Sequence, residues 1–241
     1  MPSHNIKPAN DDLGIRRLKA ANFWIRTLSA LVLAPLSLWI IWLGHPFNLL
    51  LASVVTIIVL YEWIKLSRHH GVWLVVGLIY LILAMTGLSV HLLNAHPYFF
   101  LGLLLMTWST DISAYFAGSL IGGPKLAPSI SPNKTWAGAL GGLIFGTLAG
   151  VFIFSFLYSR NEIHSVTVFT VATFVILAQF GDLLESWAKR CLGVKDSGNL
   201  IPGHGGLLDR LDSLIAIGFF LFFLEICSEH SLIIQKLSSW F

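Results

Sequence analysis

Charge is what this 241-residue chain has least of: Asp, Glu, Lys and Arg make up 11% of it, against 56% hydrophobic residues and a mean hydropathy of +0.77. Soluble domains average about 25% charged residues, so a water-soluble globular fold is excluded. Cysteine is nearly absent. Cys191 and Cys227 fall at opposite membrane faces in the expected topology, which argues against a disulfide between them. The Cys/His spacing of a zinc site is missing, and so are GxSxG and the Walker A pattern GxxxxGK[ST]. No apolar stretch begins before about Leu28, so a cleaved signal peptide is not expected.

What is present is a series of apolar runs at about 28–43, 47–64, 72–91, 98–120, 137–158, 166–188 and 209–227. Most reach the roughly 20 residues that span about 30 Å of hydrocarbon as a helix. The expected fold class is therefore all-α, a polytopic membrane protein with about seven transmembrane helices. Residues 1–27 form a polar to amphipathic N-terminal segment, and 28–241 a single transmembrane catalytic domain. With the N-terminus in the cytoplasm, 13 of the 15 Lys and Arg residues fall on inner segments, and only Arg160 and Lys236 fall outside. That asymmetry is the positive-inside pattern, and it puts the loop at 180–213 on the cytoplasmic side. Gly138, Gly142, Gly146 and Gly150 recur every four residues, a small-residue stripe that lets helix backbones approach closely. It reads as a packing seam, with a dimer seam as the variant of that reading.

The few charges are concentrated. Phe180–Ser213 holds five of the 12 acidic residues, Asp182, Glu185, Asp196, Asp209 and Asp212, among Lys189, Arg190, Lys195 and Arg210. Ionisable groups between apolar spans are costly and mark function. Asp182, Glu185, Ser186 and Lys189 fall on one helical face, and Asp209, Asp212 and Ser213 repeat the i, i+3, i+4 spacing at the start of the next run. Pro202-Gly203-His204-Gly205-Gly206 cannot continue a helix. The pattern is helix, polar loop, helix, with carboxylates facing one another across the loop. Oxygen ligands of this kind suit Mg²⁺, and the neighbouring cations suit phosphate oxygens. Asp111 lies inside the 98–120 run, about 10 Å from its inner end if that helix stops near Gly118. The loop after Gly122-Gly123-Pro124 adds Lys125, Ser129, Ser131, Lys134 and Thr135 in the manner of a phosphate-handling loop.

Carboxylates, cations, hydroxyls and glycines at headgroup depth fit metal-assisted phosphoryl or nucleotidyl transfer to a lipid headgroup. A phosphate nucleophile, with its second pKa near about 6, needs orientation more than a general base. A secondary transporter fits less well: its site would lie at the midplane between inverted repeats, and here the charges crowd one face without a repeat.

Ser186-x-x-Lys189-Arg190, Lys195-Asp196 and Pro202-x-His204-Gly205-Gly206-x-x-Asp209-Arg210-x-Asp212 together resemble the signature of the phosphatidate cytidylyltransferase family across 27 residues. Upstream, Asp111-x-x-Ala114-Tyr115, Gly118 and Ser131-Pro132-x-Lys134-Thr135 are similar to the same family, and the similarity runs from Arg26 onward. One departure is Ala137, where members usually carry Glu.

The resemblance implies that phosphatidic acid attacks the α-phosphorus of CTP, releasing pyrophosphate and giving CDP-diacylglycerol. It implies Mg²⁺ as cofactor, a bacterial-type inner membrane location with the site on the cytoplasmic side, and a homodimer; no nucleic-acid partner is expected. Carried over by position, Asp182 and Asp209 are the metal ligands, with Asp212, Asp196 and Asp111 as further acidic site residues. Lys189, Arg190, Lys195 and Arg210 would hold the phosphates of CTP or of the lipid. Lys134, Thr135 and Ser186 would position one of the two substrates, and His204, Gly205 and Gly206 would line the site as loop or substrate contacts. A CTP-using lipid kinase, or another lipid cytidylyltransferase, is the competing enzyme reading.

Overall fold

Helices account for nearly all of the computed structural model, which describes residues 29, 31–94, 97–158, 165–198, 200 and 205–228. In chain order they are α1 (Leu31–Leu43), α2 (Phe47–Ser67), α3 (Gly71–Asn94), α4 (Pro97–Ile121), α5 (Trp136–Leu157), α6 (Ser165–Cys191) and α7 (Leu208–Ser228). Five of them, α2 to α6, are long and apolar enough to cross a membrane. The described part of α1 is shorter, and α7 has the length but carries Asp209, Arg210, Asp212 and Glu225. A multi-pass helical membrane protein is thus established. The N-terminal segment, His204 and the chain beyond Ser228 lie outside the described residues.

Lys125–Ala127 (β1) and Ser131–Thr135 (β2) depart from the all-helix pattern: they pair antiparallel, Lys125 opposite Thr135 and Ala127 opposite Ser131. The segment expected to be a loop is a short hairpin. Gly122 and Gly123 lead into it with φ of +68° and +92°, backbone conformations that a side chain would strain. Thr135 ends it and begins α5, its hydroxyl accepting the Gly138 N–H at 3.0 Å as an N-cap.

The glycine stripe of α5 is spent inside the chain. Gly138, Gly142, Gly146 and Gly150 are all buried, facing α4 and α6, and a Cβ on Gly146 would stand 2.5 Å from Thr110 Oγ1 of α4. This is packing within one subunit, the first of the two readings of the stripe. Gly146→Ala is expected to lower stability by about 1–3 kcal/mol, the cost of overpacking a close seam. Thermal unfolding of the detergent-solubilised protein measures it, and an unchanged midpoint would mean that α4 and α5 do not meet through the stripe.

Two further glycines set where the site forms. A Cβ on Gly181 of α6 would lie 2.7 Å from the Asp212 carbonyl of α7, and one on Gly218 of α7 would lie 2.5 Å from the Ala84 carbonyl of α3. The acid-bearing ends of α6 and α7 are therefore drawn backbone to backbone. Below them Val59, Leu103, Met106, Val175, Ile215 and Ile217 are sealed in the core, while Leu120, Phe152, Phe156 and Phe169 face outward, as a lipid-facing surface requires.

Candidate active site

The polar side chains gather at one end of the bundle, where α2, α4 and α6 finish and α3, α5 and α7 begin. Two carboxylate clusters form there. In the first, Lys134 of the hairpin meets Asp182 of α6 at 2.5 Å, and the Ser186 hydroxyl, one turn on, reaches the same carboxylate at 3.5 Å. Asp111 of α4 and Asp212 of α7 lie near enough to act electrostatically on Asp182 and on Lys134. Three helices and the hairpin thus contribute one charge each or more to a common spot.

In the second cluster Lys189 of α6 donates to Asp209 of α7 at 2.7 Å and to Glu185 at 2.8 Å. Asp209 also accepts the Ser197 N–H, at 3.2 and 3.0 Å from its two oxygens, and the Gly206 N–H at 3.1 Å. One ammonium and two amides converge on it, against the roughly four lone-pair positions of a carboxylate. Gly205, with φ of +88°, carries the chain into this contact. The i, i+4 spacing read from the sequence is realised in both pairs of α6, Asp182 with Ser186 and Glu185 with Lys189.

The other expected residues are distributed as follows. Arg190 donates from Nε to the Ile130 carbonyl at 3.3 Å and from an η nitrogen to the Val194 carbonyl at 3.0 Å, tying the hairpin turn to the end of α6. Thr135 is buried as the α5 cap. Lys195 and Asp196 are exposed on the loop after α6, and Arg210 is exposed at the start of α7. Ala137 leaves the first turn of α5 without an acid.

Two cavities border the first cluster and share Asp111. One, of about 600 Å³, has Tyr115, Lys125, Asn133, Lys134, Gln179 and Asp182 among its lining residues. The other, of about 630 Å³, has apolar walls from Leu33, Val55, Met85, Phe100 and Trp108 and a polar mouth at Asp111, Arg210 and Asp212. Gln179 and Asn133 were not marked by any sequence pattern. Nor was Glu62, a single acid in an apolar run, which proves to be buried against Ser197, Leu207 and Leu208.

Among the described residues no three Asp, Glu, His or Cys side chains converge as a ready metal cage. Mg²⁺ does not need one, since it takes one or two carboxylates and completes its shell with water and substrate phosphates. The donor chemistry suits such an ion: Asp182 and Asp209, the carboxylates expected to hold it, are hard oxygen donors, and each now neutralises an ammonium with which the ion would compete.

Fold and site together define a multi-pass membrane protein with paired carboxylates and ammonium groups clustered at one end of its helices. The cytidylyltransferase family model matches residues 67–227, and the chain belongs to that family. It is 34% identical to the phosphatidate cytidylyltransferase of Brucella abortus, an alignment covering 84% of this chain and 93% of that protein. To the phosphatidate cytidylyltransferase of Rickettsia bellii it is 38% identical, over 85% and 91%. A shorter alignment with the phosphatidate cytidylyltransferase of Haemophilus influenzae reaches 48% identity over 53% of this chain and 47% of that one.

Proposed function

We propose that this protein transfers CMP from CTP to phosphatidic acid, giving CDP-diacylglycerol and pyrophosphate. The observation that carries this is the pair of cavities that share Asp111, one lined with Lys125, Lys134 and Asp182 and the other mostly apolar with Arg210 and Asp212 on its wall. A nucleoside triphosphate suits the polar cavity beside Lys125 and Lys134. A diacyl lipid suits the apolar one, its phosphate drawn to the mouth by Arg210.

In the reaction a phosphate oxygen of the lipid forms a bond to the α-phosphorus of CTP as the bond to the bridging oxygen of the β-phosphate breaks, and pyrophosphate leaves with that oxygen. The nucleophile is already an anion at neutral pH, its second pKa being near about 6, so no side chain has to take a proton from it. The work left to the protein is alignment and charge neutralisation. Lys134 and Lys189 stand beside the acids and within the site, Lys195 and Arg210 stand at its exposed edge, and together they offset the charge of two phosphate-bearing substrates. Ser186 and Thr135 hold hydrogen-bonding positions beside them. Asp182 and Asp209 are the residues to hold Mg²⁺, with Asp212 and Asp111 beside Asp182 as further oxygen donors. Mg²⁺ there would neutralise the triphosphate and polarise the attacked phosphorus.

The same reading gives seven spans, α1 and α7 included, with the N-terminus and the site on the cytoplasmic face of a bacterial inner membrane, and a homodimer. Support for the topology comes from the bias of Lys and Arg to one set of segments, and for the bacterial membrane from the bacterial relatives; the homodimer rests on the family resemblance alone. Purified protein supplied with phosphatidic acid and CTP labelled at either the α- or the γ-phosphorus tests the reaction. Label from the α position is expected in the lipid, and label from the γ position in pyrophosphate. Lipid labelled from the γ position would make the protein a kinase instead.

A further inference from the structure

Glu62 sits on α2, far in sequence from every other site residue, and is only 4% exposed. A lone acid in an apolar helix needs compensation, because an unpaired buried carboxylate is strongly unfavourable. Its compensation comes from the signature loop. Oε1 accepts the Leu207 N–H at 3.0 Å, and Oε2 accepts the Leu208 N–H at 2.8 Å and the Ser197 hydroxyl at 3.5 Å. Leu208 opens α7, so the carboxylate satisfies amides that the helix itself leaves without partners and lies at the positive end of its dipole. Among the described residues none of its partners is a cation.

Ser197 is held twice: its N–H by Asp209 and its hydroxyl by Glu62. Gly206 is held at its N–H by Asp209, and a Cβ there would stand 2.8 Å from Glu62 Oε2 and collide with the Ser197 hydroxyl. A Cβ on Gly198 would lie 3.2 Å from Glu62 Oε1. Ser197 and Gly206 are therefore held between two carboxylates, one on α7 and one on α2, at a spacing that admits only glycine at position 206.

We propose that Glu62 is a positioning residue for the reaction, fixing Ser197, Gly206 and the first turn of α7 so that Asp209 faces Lys189. It touches neither substrate nor metal. The inference rests on the reading of Asp209 as part of the active site, and the experiment separates the two. In the full-length purified protein, assayed well below its melting temperature, Glu62→Gln is expected to lower kcat per folded molecule about 10–100-fold, the scale of a small misplacement of reacting groups. KM for CTP is expected to stay within about twofold, since the substrate contacts remain. Hydrogen exchange is expected to accelerate at Ser197, Gly206, Leu207 and Leu208 and to be unchanged in α3 and α5. Glu62→Asp, which keeps the charge but loses one methylene, is expected to recover part of kcat, and it replaces the Gln variant if that one does not accumulate.

Wild-type kcat together with wild-type exchange overturns the proposal. So does exchange that rises uniformly through the molecule, which is the mark of a merely structural residue. If the parent protein itself transfers no CMP, the enzymatic reading fails, and the exchange at the loop still decides whether Glu62 holds it.

Discussion

Asp209→Asn is expected to reduce CMP transfer by at least about 10²–10³-fold, the loss associated with removing one preorganised electrostatic partner from an active site. Three donors converge on this carboxylate: the Lys189 ammonium at 2.7 Å and the amides of Ser197 and Gly206. Asparagine keeps the shape but turns one acceptor oxygen into a donor, which then faces an N–H or an ammonium. The charge that stabilises Lys189, and that would help hold a divalent ion, is lost at the same time. The fold is expected to survive. Lys189 retains Glu185 at 2.8 Å, and α7 keeps its close contacts through Gly218, Leu214 and Ile217. Turnover is measured beside the melting temperature and the elution volume in detergent. Normal turnover would remove Asp209 from the mechanism, whereas loss of turnover together with loss of folded protein would make it a structural acid.

The helices were legible because hydrocarbon imposes a length and an apolar composition that a sequence cannot disguise. The run at 47–64 becomes Phe47–Ser67, and that at 137–158 becomes Trp136–Leu157. The local half of the site was legible for the same kind of reason: i, i+4 neighbours on α6 must share a face, and Asp182–Ser186 and Glu185–Lys189 do. The tertiary half was not. That Lys134 chooses Asp182, and Lys189 chooses Asp209, depends on how close α6 comes to α7 and to the hairpin, which Gly181 and the positive-φ pair Gly122 and Gly123 decide. Arg190 offered the same ambiguity. A cation next to a phosphate-handling segment reads as a phosphate ligand, yet two of its donors are engaged by the Ile130 and Val194 carbonyls. The hairpin was hidden because its strands, Lys125–Ala127 and Ser131–Thr135, are short, and the second is polar and contains Pro132, with no alternation of apolar residues to announce them. Glu62 was hidden differently: the apolar run around it is what made it costly, and its partners lie 135 to 146 residues away.

Asp182→Asn is expected to be as damaging to turnover as the change at Asp209, about 10²-fold or more, but to leave a different signature. Asp182 shares its surroundings with Asp111 and Asp212, and only Lys134 among the described residues stands in ion-pair contact with it. Three acids in a region of low dielectric repel one another, and a divalent ion relieves that repulsion better than one ammonium does. Taking away one acid therefore has two opposed consequences. The repulsion falls, which favours the folded protein, and a ligand is lost, which weakens the ion. If Asp182 serves the metal, Asp182→Asn is expected to melt no lower than the parent and to need at least about tenfold more Mg²⁺ for half-maximal activity, as loss of a ligating group commonly demands. If Asp182 serves only to anchor Lys134, the Mg²⁺ requirement stays where it was. Lys134→Met would then reproduce the whole defect, because the two changes would break the same ion pair. A Mg²⁺ titration of both variants beside the double variant decides between these cases. Metal binding at Asp182 predicts that Lys134→Met raises the affinity for Mg²⁺ by removing a competing charge, and a requirement for Mg²⁺ that is the same in all three proteins would exclude it.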